Sequence, residues 1–217
     1  MATATAALDS ARSYLNDVGK SIWTDSVLLP YLKEAHRDLQ IMLFLNGIPV
    51  LKERSATLQV AAGAIILANQ PADLLEPILM KERSSGSSEG WITMQEQDYE
   101  SDIQQMSSLI YWCWREEAIN FVGATTNREV LLRYWKGLTL PIDENSILGF
   151  IFAEVFLGPQ AAGYAAKAVG NITLAAENFD AAKQKLDIII RANIKGAQGR
   201  SSRRVPYRRF SRQRMLL

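Results

Sequence analysis

With 217 residues, 48% hydrophobic and 22% charged, the chain has the size and composition of one ordinary globular domain, or of a domain carrying an insertion. One cysteine excludes an intramolecular disulfide, and one histidine leaves no material for a histidine metal site or a histidine-based catalytic triad. The net charge of +1 hides an asymmetry: seven of the 24 basic residues are arginines from Arg200 onward, while the other 17 face all 23 acids.

In chain order, Met1–Ala7 is small and polar, without the basic and apolar regions of a signal peptide. No apolar run approaches the length that crosses a bilayer, so the cytoplasm is the expected place and no membrane contact is expected. Leu8, Ala11 and Leu15 share a stripe that predicts a short helix over residues 8–17. Thr24 is a candidate N-cap, with Asp25 in the first turn where its charge suits the helix dipole. Leu28, Leu32, Ala35, Leu39, Met42 and Leu43 then keep helical spacing as far as Asn46-Gly47, a natural stop. Pro30 sits deep enough to bend or delay the first turn, and His36 reads as a surface or boundary residue.

From Ile48 the period changes. Val50–Arg54, Thr57–Val60 and Ala64–Leu67 read as short strands, and Leu74–Arg83 as a longer one, in which Pro77 calls for an edge position or a bulge. Ser84–Gly90 is a hairpin tip and Trp91–Met94 the returning strand; Gln95–Met106 is polar and reads as a loop with a short helix. The strongest pattern in the chain runs from Leu109 to Trp135. Three runs rich in aromatic and branched residues are separated by turn-prone ones, and Gly123–Asn127 predicts a hairpin between the second and third runs. Ile110, Trp112 and Trp114 fall on one face of the first run, and Leu109, Tyr111 and Cys113 on the other. Both faces are apolar, which predicts a sandwiched strand whose tryptophans pack in a core rather than stack on a sugar or base.

Beyond Trp135 the helical period returns. Ser146–Leu157 is apolar nearly all round and predicts a buried helix broken at Gly158-Pro159. Gln160–Val169 is alanine-rich, and Asn171 or Thr173 is placed to cap a long helix running to about Lys195, with Leu174, Phe179, Ala182, Leu186 and Ile189 or Ile190 on its stripe. The fold class is therefore α+β: an antiparallel helical bundle (residues 1–47 and 141–198) with an inserted antiparallel β-domain (48–140) and an extended basic C-terminal arm (199–217).

The residues offer little chemistry. Gly158 and Gly163 lack the Lys-Ser/Thr ending and the preceding strand of a phosphate loop, and no Cys/His pair has metal-ligand spacing. Glu116 and Glu117 are neighbours that would face opposite ways on a strand, so they make no acid/base pair. Cys113 between two tryptophans reads as a buried, inert thiol. No enzyme is indicated, and no catalytic residue, metal or cofactor is assigned.

The arm is the informative segment. Arg203, Arg204, Arg208, Arg209, Arg212 and Arg214 alternate with Tyr207, Phe210, Met215, Leu216 and Leu217. Too few apolar residues are present to build a core, so disorder in isolation is expected, with ordering on a partner. These residues are the candidate contact set for a protein groove or for DNA.

Several pieces, in their order, carry a resemblance: Trp23-Thr24-Asp25 with Leu28–Ala35, Pro71–Ile78, Trp91–Met94, Tyr111–Trp114, Leu131–Trp135 and the alanine-rich C-terminal helices. Together they resemble the head-to-tail adaptor (connector, or neck) proteins of tailed bacteriophages. That resemblance implies a structural virion protein forming a ring, twelvefold by analogy, below the portal. It implies helices lining a channel for genome passage and ejection, with non-specific contact to the passing DNA. The implied partners are the portal protein, on which the arm would dock, downstream tail or tail-completion (nozzle or tube) proteins, and further copies of the chain. Assembly would take place in the host cytoplasm, and the family has no catalytic residues to carry over. The alternative is a nucleic-acid-binding accessory protein whose arginine-rich tail grips phosphates.

Overall fold

Four helices gather from the two ends of the chain around a β-rich middle. The computed structural model describes residues 2–48, 51–97 and 104–198, the last six by their backbone. Helix α1 (Ala4–Tyr14) begins four residues earlier than the apolar stripe predicts. Its first N–H groups have partners that sequence spacing does not reveal. Thr3 Oγ1 accepts from the Ala6 N–H, while the Ala4 and Thr5 N–H groups donate to the carbonyls of Ser146 and Glu144. Helix α2 (Asp25–Leu45) starts after Thr24 as expected, but the Thr24 hydroxyl meets Ser26 Oγ rather than capping the helix. Pro30 lies inside α2 and does not delay it. The ring is exposed at the sixth helical residue, so its cost is one lost bond near an end that already has orphan groups.

Residues expected as one all-apolar helix divide in two. Helix α3 (Ala153–Ala168) starts seven residues late and runs straight through Gly158-Pro159. Before it, Ile147, Ile151 and Phe152 are exposed, and Phe152 takes a left-handed conformation at φ 69°. Gly158 is no break because it is a contact: it lies against Ser10 of α1, where any side chain would collide. Helix α4 (Ile172–Gln198) follows a turn at Gly170, and Asn171 Oδ1 accepts from the Leu174 N–H, as expected of a cap.

Direction follows from the contacts. Thr3 bridges Ile147 and Ser10 meets Gly158, so α1 and α3 run parallel. Asp38 accepts from Gln160 while Tyr31 and Glu34 line a cleft with Tyr164 and Lys167, so α2 runs antiparallel to α3; α4 turns back at Gly170 and lays Phe179 on Gly163, so it does the same. The central helix is α3, which packs against all three others. Ala161, Ala162 and Ala165, all fully buried, permit that close approach.

The middle of the chain forms two sheets. The larger contains β1 (Lys52–Arg54), β2 (Leu58–Val60), β3 (Leu74–Ser84), β4 (Ile92–Thr93) and the long central strand β8 (Arg128–Lys136). β1 and β2 pair with successive parts of β8, separated by Ser55, whose Oγ accepts the Leu132 N–H. β3 covers the other edge of β8, with a register shift between Pro77 and Leu79, the bulge that the proline predicts. The smaller sheet orders β5 (Gln95–Glu96), β6 (Tyr111–Arg115) and β7 (Ala118–Phe121), with β5 parallel to β6.

Three expectations are corrected here. The hairpin joins the first two aromatic runs, β6 and β7, through Glu116-Glu117, both at positive φ (54° and 57°), the conformation of a two-residue primed turn. Gly123–Asn127 instead carries the chain from one sheet to the other. Ala64–Leu67 forms a single bridge, Ile66 to Asn120, rather than a strand, and Gln95-Glu96 is strand where a loop is expected.

Each part has its own core. Leu28, Leu32, Leu39, Leu43, Phe156, Leu157 and Leu186 lie in the bundle cluster. Met80, Leu132 and Tyr134 from the larger sheet meet Trp112, Ile119 and Phe121 from the smaller one. The two parts join where Phe44 packs edge-on against Trp135 at 5.6 Å and Gln40 Oε1 accepts the Leu138 N–H at 2.9 Å.

Candidate functional site

Two buried polar clusters fix the frame that any functional surface is built on. Arg12, 1% exposed, donates to Asp9, Asp25 and the Trp23 carbonyl, tying α1 to the start of α2. Beside it Asp17 accepts from Ser21, Ile22 and Trp23, and these hydrogen bonds hold its carboxyl well below the usual range. In the larger sheet Glu129 accepts from the Gly86 N–H, Arg83 and Gln59, which bring it down to about 2. Arg128 pairs with Glu82 in the same region, and both are buried.

His36 corrects the sequence reading. It is 1% exposed inside the bundle rather than at a boundary, both ring nitrogens lack a hydrogen-bond partner, and burial lowers its pKa. Helical spacing places it beside Ala35 and Leu39, but only the packing of α2 on α3 decides that the stripe is wide enough to include it. Cys113 is buried, as expected. Glu116 and Glu117 sit in the tight turn, not on a strand. Among the described residues no group of three His, Cys, Asp or Glu side chains is placed to hold a metal ion, and no helix is long and apolar enough to cross a membrane.

Two surfaces stand out. The first is the stretch leading into α3, where Leu140, Ile142, Ile147, Ile151 and Phe152 are all exposed. The second is the outward face of the larger sheet. Strand alternation sends Lys52, Arg54, Lys81 and Arg133 to this face, where they line a cleft of about 350 Å³ with Glu53, Leu79, Trp91 and Leu131. Lys52 lies over the Trp135 ring at 4.4 Å, and Arg83 over Trp91 at 4.5 Å. Sequence reasoning missed this face because its cations are scattered over three strands. The candidate arm residues, Arg203, Arg204, Tyr207, Arg208, Arg209, Phe210, Arg212, Arg214, Met215, Leu216 and Leu217, lie outside the described residues.

Comparison with protein families places the chain. The model of the SU10 adaptor protein family matches residues 2–209. The chain belongs to that family. The adaptor is thus of a phage head-to-tail adaptor type, a structural family rather than a family of enzymes. Its match takes in both halves of the bundle, the β-rich middle and the arm as far as Arg209. Among curated proteins the adaptor has no match.

Proposed function

We propose that this adaptor forms a ring below the phage portal, linking capsid to tail around a channel for the genome. The observation that carries the reading is the family match over residues 2–209, which spans nearly the whole chain. In this reading residues 1–47 and 141–198 act as one bundle unit, 48–140 as its insert and 199–217 as an arm that docks on the portal. The exposed apolar run from Leu140 to Phe152 supports the reading, because an apolar surface of that kind is covered in an assembly. Arginine and apolar residues alternate in the arm, which suits a protein groove: guanidinium groups take carboxylates or carbonyls, and Tyr207, Phe210 and Leu216 fill pockets. A ring of identical copies uses heterologous contacts, one face against a different face of the neighbour. The partners are the portal, downstream tail-completion proteins and other copies, and the place is the neck of the virion.

The test is direct imaging of portal particles incubated with purified full-length adaptor. Closed rings of adaptor density, twelvefold by family analogy, are expected. One or two copies per portal, or none, would refute the reading.

A further inference from the structure

Phe152 is exposed and strained at once. It is 62% exposed, its φ of 69° is one that a bulky residue seldom takes, and its side chain caps nothing. Each feature costs stability in the free chain, and strain of this kind persists where the surrounding structure holds a functional group in place. Ile147 and Ile151 are exposed just before it, and Ile142 earlier in the same run. Glu144 is exposed in that run too. Its carbonyl binds Thr5 of α1, but its carboxylate has no ionic partner among the described residues.

A second apolar surface lies at the other end of the bundle. The early turns of α2 and the last turn of α3 leave a cleft of about 550 Å³, lined by Pro30, Tyr31, Tyr164 and Ala168 together with Glu34 and Lys167. Val169 and Ile172 are exposed where α3 turns into α4, at the same end. Glu34 is already paired with Arg37 at 3.0 Å, whereas Lys167 is exposed and has no ionic partner among the described residues. The two ends therefore differ in shape and in free charge: a protruding aromatic with a free acid, and a cleft with a free base.

We propose that Phe152 and its flanking isoleucines seat in the α2–α3 cleft of a second copy of this chain, with Glu144 facing Lys167. The contact rests on the ring reading above and assigns its chemistry. The chain cannot fill its own cleft with its own ring. Tyr164 and Ala168 follow Phe152 by 12 and 16 positions, a separation of about 18–24 Å along α3. A two-fold contact would set like ends together, Glu144 near Glu144, and leave the cleft uncovered. A head-to-tail contact covers both surfaces at once and pairs opposite charges, and such heterologous contacts close into rings. Apolar and aromatic residues at the centre with charges at the rim are the usual anatomy of an interface.

The test uses full-length adaptor, read by sedimentation velocity in solution and by imaging of rings on portal particles. Phe152→Gly removes the ring and relieves the left-handed backbone, so its melting temperature should hold or rise while association falls about tenfold or more. Ala168→Arg, at an exposed site in the cleft, should lose association to a similar degree. Glu144→Lys and Lys167→Glu should each weaken association severalfold, and an equimolar mixture of the two should recover it. In a mixture of unlabelled and 15N-labelled wild type, carbodiimide should join Glu144 of one chain to Lys167 of another. Recovery only when both charge changes share one chain would mean an internal contact and overturn the proposal. Association that stops at a dimer, or crosslinks that join like ends, would overturn it in favour of a two-fold contact. Loss of portal attachment by Phe152→Gly with self-association intact would assign the surface to the portal and overturn it. Crosslinks from Glu144 to the arm, with association by Phe152→Gly unchanged, would make the arm the occupant and overturn it. Wild-type rings from both Phe152→Gly and Ala168→Arg would overturn this contact and leave the ring standing. A wild type that stays monomeric in solution and on portal particles would remove the ring reading and this contact together.

Discussion

Gly158 of α3 lies so close to Ser10 of α1 that a Cβ at position 158 would stand 2.1 Å from Ser10 Oγ and 2.6 Å from Ser10 Cβ. The helix that sequence reasoning ends at Gly158-Pro159 therefore continues, because the glycine is what lets α1 and α3 touch. Alanine inside a helix ordinarily stabilises by about 1 kcal/mol relative to glycine. Here Gly158→Ala should destabilise instead, by about 1–3 kcal/mol from overpacking. Adding Ser10→Gly should recover part of that loss in urea denaturation. A Gly158→Ala protein as stable as the wild type would show that the two helices can move apart freely.

Trp112 and Trp114 share a strand face in the sequence pattern, yet Trp112 is 1% exposed while Trp114 is only partly buried. Trp112→Ala should cost about 3–5 kcal/mol, and Trp114→Ala clearly less. The check is the denaturation midpoint at unchanged slope.

Arg12→Ala should destabilise by about 1–3 kcal/mol by leaving the Trp23 carbonyl without its buried donor. Arg12→Lys should recover little, because one ammonium cannot reproduce the fork that reaches Asp9, Asp25 and the carbonyl together. Thermal melts of both variants test this.

Two groups predict acid sensitivity in separate windows. The His36 pKa is lowered in the fold from its ordinary 6.5, so the unfolded chain binds its proton first. Its contribution is complete above pH 6.5 and is lost as the pH falls below that value. Glu129 is lowered from 4.5 to about 2, so its contribution is complete above pH 4.5 and is lost as the pH falls toward 2. His36→Leu should remove the first slope and be neutral or stabilising, since both ring nitrogens are buried without a partner. Glu129→Gln should flatten the second. Urea titrations from pH 7.5 to 2.5 resolve the two windows.

For the arm, the full-length, scrambled-arm and 1–198 proteins should differ in portal binding at two salt concentrations. Specific docking predicts that Phe210→Ala, or loss of Met215-Leu216-Leu217, weakens attachment with every arginine retained. Equal binding by full-length and scrambled proteins would favour a purely electrostatic grip, with affinity falling steeply as salt rises. Equal binding by all three would remove the arm from the mechanism.

Periodicity determined the broad layout, with helices at both ends and strands between, and narrowed Pro77 to an edge or a bulge and the α4 cap to Asn171 or Thr173. Those features are local, set by residues three, four or two positions apart. The order of motifs along the chain was also enough to carry the family. Tertiary structure decided whatever depends on a distant partner. The Ser146 and Glu144 carbonyls start α1 early, and Ser10 turns Gly158 from a breaker into a contact. The left-handed turn at Glu116-Glu117 pairs β6 with β7 and frees β8 to pair with β1, β2 and β3. His36 is buried because α2 meets the bundle on that side. The basic face belongs to this second group as well. Lys52, Arg54, Lys81 and Arg133 are up to 81 positions apart in sequence, and only the ladder register sets them side by side.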